Sequence, residues 1–243
     1  MKTFFIKIIK NFRKLFTFWI FNQTQDFLKK IREHELQKII KKIPPKSKIL
    51  EIGGGSGWQA KILEGLGHKV SSIDIENSFY LKEKIFDVQT YDGIKIPFNN
   101  EEFDIIFSSN VLEHIKETNK YQKELYRVLK DEGLAIHIIP SATWRIWTIL
   151  TDLVKSWYIP RPHGEHASST FIEIFFFKKN WWKKRFIFNN WDILSIDVNN
   201  LFYTGNSIFG DKISIEKRIL LSKILGSSCN IFILKKTKSI DNF

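Results

Sequence analysis

The sequence predicts an α/β fold, a mostly parallel sheet with helices on both faces, and three observations carry that reading. Short apolar runs recur with helical stretches between them, the first run opens into a glycine-packed turn, and an acid ends the second. Runs unbroken by polar residues suit strands buried on both faces of a parallel sheet. With 243 residues and 43% hydrophobic content, the chain can bury one full core and still carry an arm or cap.

The first strand, Lys48 to Ile52, runs straight into Gly53-Gly54-Gly55-Ser56-Gly57. Glycines at 53, 55 and 57 allow positive φ and close approach to a ligand, and Trp58 to Leu66 reads as a helix whose N-terminus favours negative charge. Such a unit suits a nucleoside-bearing cofactor, although a ligand-free strand-to-helix turn can use the same glycines. A dinucleotide fingerprint G-x-G-x-x-G is disfavoured, because counting from Gly53 puts Trp58 at the third glycine.

The second strand, Val70 to Ile75, holds Asp74, which lies 21 residues after Gly53, about where an acid reaches a ribose hydroxyl. A third strand near Phe86 to Tyr91 ends at Asp92-Gly93, a turn signal in its own right. Phe103 to Asn110 is a buried fourth strand, and Val111-Leu112-Glu113-His114 begins the element after it. Tyr121, Leu125, Val128 and Leu129 follow at helical spacing, Asp131-Glu132-Gly133 breaks the helix, and Leu134 to Ile139 supplies a fifth strand.

These four ordered blocks, with the spacing Glu51-x-Gly53-x-Gly55-x-Gly57, resemble class I S-adenosylmethionine (SAM)-dependent methyltransferases of the type 11 kind over roughly residues 48 to 141. The resemblance implies a Rossmann-like, seven-stranded, mostly parallel sheet. It implies SAM as cofactor, held by Glu51, Gly53, Gly55, Gly57, Asp74, Asp92, Gly93 and Asn110. Asp92, five residues before Pro97-Phe98, stands where the family's acid accepts a hydrogen bond from the adenine amine. Asp131-Glu132 departs from the family's usual Pro-Gly-Gly, in what reads as a surface turn.

Beyond residue 141 the chain leaves that common core, and acceptor choice belongs there. Thr143 to Tyr158 reads as a cap helix, followed by the loop His163-Gly164-Glu165-His166. Two histidines and a glutamate can ligate metal, but without a distant fourth ligand a polar substrate-facing loop is the better reading, and no metal is assigned. The aromatic and cationic stretch Phe175 to Phe186 is either a core helix with snorkelling lysines or a lipid contact. Ile193 to Tyr203 reads as a sixth strand, Ile215 to Leu225 as a helix, and Asn230 to Lys236 as the seventh, antiparallel strand, with cap insertions at about 141–190 and 204–228.

Trp144-Arg145-Ile146-Trp147, the 163–166 loop and Leu201 to Gly205 look like methyltransferases of bacterial surface-polysaccharide gene clusters. That looser resemblance implies a glycan or lipid-linked glycan hydroxyl as the small-molecule acceptor. A quinone or lipid carbon or oxygen methyltransferase is the alternative, and a non-catalytic SAM-binding scaffold at a membrane is the reading from another class. An alcohol acceptor must lose its proton, for which His114 is the first candidate base and His166 the second, while His137 sits mid-strand with a structural role. The chain lacks the Asn/Asp-Pro-Pro run of amino methylation, and Cys229 is too far from the fourth strand for cytosine chemistry.

Charge is concentrated at the start. Residues 1–48 carry 13 Lys/Arg against 3 Asp/Glu, a net of +10, and the remaining 25 basic and 23 acidic residues add only +2. Phe4, Phe5, Ile8, Ile9, Phe12, Leu15, Phe16 and Trp19 share one side of a helical wheel, and Lys7, Lys10, Arg13 and Lys14 the other. That pattern suits either a helix in a lipid interface or one packing its aromatic face on the core or a twin subunit. Nucleic acid comes last, because cations and aromatics are not interleaved. A second helix, about Phe27 to Ile43, ends at Pro44-Pro45, giving an arm over 1–45 and a catalytic domain over 46–243. One cysteine, no apolar run of roughly 18 residues and no signal cleavage site point to the cytoplasm, with the arm allowing peripheral attachment to the membrane's inner face.

Overall fold

In the computed structural model, residues 25–78 and 84–237 are described, together with Phe21 and Leu81. The aromatic and basic face predicted over residues 4–19 lies outside the described residues. Seven strands form one sheet in the order β3-β2-β1-β4-β5-β7-β6, with β1 Lys48–Ile52, β2 Lys69–Ile75, β3 Val88–Tyr91, β4 Phe103–Ser109, β5 Leu129–Pro140, β6 Trp191–Val198 and β7 Cys229–Lys236. β1 pairs in parallel with β2 and β4, β2 with β3, and β4 with β5, whereas β7 runs antiparallel to both β5 and β6. This is the Rossmann-like, mostly parallel seven-stranded sheet that the sequence predicts.

The strands read as continuous apolar runs because both faces are covered. Alternate residues go to opposite sides, so Ile49, Ile105, Phe107, Ile136, Ile138, Ile231 and Ile233 enter one core, and Leu50, Ile52, Ile106, Ala135, Phe232 and Leu234 the other. The first core is roofed by α1 (Gln25–Ile40) and α2 (Trp58–Gly65), with α7 (Ile215–Leu225) alongside. α3 (Thr118–Val128) and α6 (Lys179–Phe188) cover the second through Tyr121, Leu125, Trp182 and Phe186. Between them in sequence, α4 (Ala142–Ser156) and α5 (Thr170–Phe176) build the cap.

Four differences from the expected elements have physical causes. First, packing does not change at residue 45: Phe27, Ile31, Leu36 and Ile39 of α1 are fully buried, each contributing about 2 kcal/mol, so α1 is part of the core and not of a separable arm. Second, the helix ends at Val128, and Asp131-Glu132-Gly133 is not a turn but lies inside β5, where the register against β4 shifts between Phe103 and Ile105. A side chain at Gly133 would press on Leu129 and the Asp104 carbonyl, so the irregularity needs glycine.

Third, β6 stops at Val198 because Asn199 turns inward, its Oδ1 accepting from the N–H groups of Leu201 and Cys229, and Asn200 takes φ 53°. The apolar Leu201-Phe202-Tyr203 is therefore buried loop, not strand. Fourth, the Phe175–Phe186 stretch is two helices, parted at Lys178, whose ψ of 135° is extended. Its Trp182 and Phe186 are core residues, and Phe186 stacks on the buried His137. His137 also bonds Ser108 across 2.8 Å and, by burial, has its pKa lowered to about 3. Among the described residues no helix is long and apolar enough to cross a membrane.

Candidate functional site

At the carboxyl ends of β1, β2 and β4 the sheet opens into a cavity of about 1210 Å³. Single-ligand pockets run roughly 300–1,000 Å³, so this one has room for two molecules side by side. One end is built by the glycine loop. Gly53 and Gly54 both donate to the Ile73 carbonyl, at 2.8 and 3.1 Å, which folds the loop back over β2. Gly53 has φ 72°, and a Cβ there would lie 2.3 Å from Val111, so only glycine leaves the cradle open. Asp74 locks the loop from the next strand, its Oδ2 accepting from Gly55 N–H at 2.8 Å and from the Ser78 hydroxyl at 2.9 Å.

Of the residues read from sequence, Gly53, Gly55, Asp74, Gly93, Asn110 and His114 line this cavity. Four others do not. Glu51 is buried beneath the loop, accepting from the Ser72 hydroxyl at 2.6 Å, and burial pushes its pKa up to about 7. Gly57 caps α2 with φ 80° and faces Phe86 and Val88, where a side chain would clash. Asp92 turns to its own backbone, accepting from Ile94 and Lys95 N–H at 2.8 and 2.9 Å, bonds that hold its pKa below the usual carboxylate range. His166 packs against Phe176, Trp181 and Trp182, with Thr118 Oγ1 3.4 Å away, outside the cavity.

Asn110 sits at φ 57°, a left-handed conformation asparagine tolerates, at the tip of β4. With its amide oxygen turned toward α1, it accepts from both terminal nitrogens of Arg32, at 2.5 and 3.3 Å. Arg32 also donates to Glu35 at 2.6 Å, and Glu35 accepts from Tyr203 and Asn199, each at 2.8 Å. Burial opposes the guanidinium charge, but the Glu35 carboxylate more than offsets it and raises the pKa above its ordinary value. Sequence reasoning missed Arg32 and Gly54 as cavity residues. The signal was present: Arg32 and Glu35 fall on the same helical stripe as Leu28, Leu36 and Ile39, and a charged pair on an apolar face needs a buried partner.

The other end is walled by the cap. Trp144 and Thr148 from α4, Pro160 to His163, and Tyr203 to Ser207 surround it, with Ile94 and Ile115 opposite. His114 lines the cavity, its ring 4.7 Å from that of His163, which itself packs 4.9 Å from Trp144 of the cap. Burial lowers the pKa of His114 below its ordinary value, so at neutral pH it is an uncharged proton acceptor. His163 is lowered further, to about 3, by burial and then by the neighbouring His114 and arginines.

A family model described as a methyltransferase domain matches residues 23–183, two thirds of the chain. The chain belongs to the methyltransferase-domain family. It is 28% identical over 136 residues to the ubiquinone biosynthesis O-methyltransferase of Bartonella tribocorum, a match covering 52% of this chain and 54% of that one. The chain thus spans about half the length of the Bartonella relatives it matches. The Rickettsia typhi protein of the same name is 26% identical over 243 aligned positions, covering 83% of this chain and 93% of that one. In fold it is similar to a solved SAM-dependent methyltransferase from Listeria monocytogenes, with TM-score 0.57, 15% identity and coverage of 85% and 100%. A second, from Mesorhizobium loti, has TM-score 0.57, 12% identity and coverage of 84% and 98%.

The residues present fit SAM, the cofactor that the sequence resemblance implies. The loop at Gly53 to Gly55 exposes backbone where a Cβ would block a ligand, and Asp74 ends β2 at the cavity wall. Arg32 offers the cation that an amino-acid carboxylate needs. When bound, SAM supplies an electrophilic methyl group on a sulfonium.

Proposed function

We propose that this methyltransferase methylates a ring hydroxyl of a quinol-type or related lipid-borne phenol. One observation carries the reading: a single cavity is lined both by the glycine loop and by Trp144, Tyr203, Pro160 and Pro162 of the cap side, with His114 among its lining residues. The rings of Trp144, Tyr203, Pro160 and Pro162 offer flat faces to an aromatic ring, and the names of the Bartonella and Rickettsia relatives favour the quinone alternative over the glycan hydroxyl. Gly53, Gly55, Asp74, Gly93 and Asn110 remain the proposed cofactor shell, with Arg32 and Gly54 added.

In this reading the protein positions and dehydrates. The cap excludes water and holds the hydroxyl in line with the methyl carbon, which supplies much of the rate. His114, neutral at pH 7, accepts the hydroxyl proton as the oxygen attacks. His166 bears on the reaction only through the packing of the cap. The test is incubation of the full chain with methyl-labelled SAM and three acceptor pools: phenolic quinone precursors, membrane lipids and lipid-linked glycans. Label in the phenolic pool is the expected result, and label confined to the glycan pool would overturn it.

A further inference from the structure

Glu113 is buried beside the cavity, 1% exposed, and neither carboxylate oxygen has a hydrogen-bond donor. A buried carboxylate without a partner costs several kcal/mol unless something positive or a proton meets it. The imidazoles of His114 and His163 stand beside it: one ligand atom from each of the three residues lies within 4.8 Å of the others. These are ligands of different origin, two from the turn after β4 and one from the cap.

The cap loop is held against Glu113 by bonds of its own. Glu165 N–H donates to the Glu113 carbonyl at 3.0 Å, and Gly164 sits so close to that carbonyl that a Cβ would approach within 2.5 Å. On the far side, Glu173 accepts from the N–H groups of His163 and Gly164, at 2.6 and 2.5 Å, while itself paired with the buried Arg145 at 2.5 Å. Such outer contacts fix ligand orientation in metal sites.

We propose that Glu113, His114 and His163 bind a divalent first-row cation, zinc or cobalt being the best suited to two imidazoles and a carboxylate. Three protein ligands leave coordination positions open, as in catalytic and not in structural sites. Since His114 and His163 line the cavity, those positions face the acceptor chamber. The inference rests on the acceptor chamber of the proposed function and adds to it. In the loaded chain the cation, in place of the His114 ring, would meet the acceptor oxygen and lower the pKa of its hydroxyl, the proton leaving to bulk solvent before the oxygen attacks the methyl carbon.

The test is titration of the full-length chain, stripped with chelator, with Co²⁺ alone, followed by ligand-field absorption and competition by Zn²⁺. Binding of one Co²⁺ per chain is expected, weakened at least about tenfold by Glu113→Gln and by His163→Asn, a scale that even outer-shell contacts reach. His166→Ala should leave the titration unchanged. No absorption in the wild-type chain, or a titration altered by His166→Ala but not by the two ligand variants, would overturn it. Each variant's calorimetric affinity for S-adenosylhomocysteine is measured in parallel as a check on folding. Should one ligand variant fail that check, the other decides. Labelling of a phenolic acceptor is read separately, so loss of the metal site and loss of the acceptor reading are distinguishable.

Discussion

Replacing Glu51 with glutamine should stabilise the protein at alkaline pH and do little in acid. The carboxyl lies beneath the glycine loop, 2% exposed, with Ser72 Oγ donating to it at 2.6 Å. Burial outweighs that bond, and a further push comes from Asp74, so the pKa rises from 4.5 to about 7. A carboxyl raised in the folded state adds stability that is fully present below its unfolded pKa and is lost as pH climbs through the folded one. At about 1.4 kcal/mol per unit, the loss between those two values is about 3 kcal/mol. Glutamine keeps the Ser72 bond and carries no charge, so the variant skips the loss. For a chain of this length about 3 kcal/mol corresponds to a melting-point gap on the order of 6–12 °C. The assay is thermal melting of both proteins by circular dichroism at about pH 4.5 and about pH 8, compared as a difference so that titrations common to both cancel. A gap of equal size at both values, or one that narrows as pH rises, would refute burial as the cause.

Four further outcomes follow from the same geometry. Gly53→Ala should abolish calorimetric binding of S-adenosylhomocysteine, because its Cβ meets Val111, whereas Gly67→Ala, at φ 89° with open space around it, should cost only about 1–2 kcal/mol and bind normally. Arg32→Lys keeps a charge beside Glu35 but loses the fork to Asn110, and should weaken that binding about tenfold, or about 1.4 kcal/mol; equal affinity would remove Arg32 from the cofactor shell. His114→Ala should lose turnover while still binding SAM, and His166→Ala should keep both; preserved turnover in the first variant would dismiss His114 as the reacting group. Because α1 is core, the arm is tested by liposome flotation of the full chain against one beginning at Phe21, and equal flotation would eliminate residues 1–20 as an anchor.

The sheet was legible because its strands are buried on both faces, so that Ile49 to Ile52 or Phe103 to Phe107 can only be strand interior. The cofactor end was legible for a related reason: a positive φ and a blocked Cβ leave a glycine signature in the chain itself. Acidic side chains were harder to place. Whether Asp74 or Asp92 faces a cavity depends on which donor stands nearest, and Asp92 found the N–H groups of Ile94 and Lys95, which an Asp-Gly turn supplies locally. For Arg32 the helical stripe shared with Glu35 signals a buried partner but not which one, because Asn110 lies 78 positions later and no periodicity reports so distant a contact.

The cap shows the same limit and what lies behind it. His163 and His166 are three residues apart in one loop, and sequence spacing alone treats them as equivalent. The Glu173 carboxylate separates them: by accepting from the N–H groups at 163 and 164 it pins that end of the loop over Glu113, and the His163 ring comes to rest between His114 and Trp144. Three residues later the chain has turned away, and His166 is left among Trp181, Trp182 and Phe176. Glu173 is itself held by the buried Arg145 of α4, so the position of a ring at the acceptor chamber is set by an ion pair built into the chamber wall. Arg145→Met should therefore free the loop, letting the His163 ring leave His114, with a fall in acceptor turnover at unchanged S-adenosylhomocysteine affinity. If turnover and affinity fall together, Arg145 is holding the whole fold and not the loop.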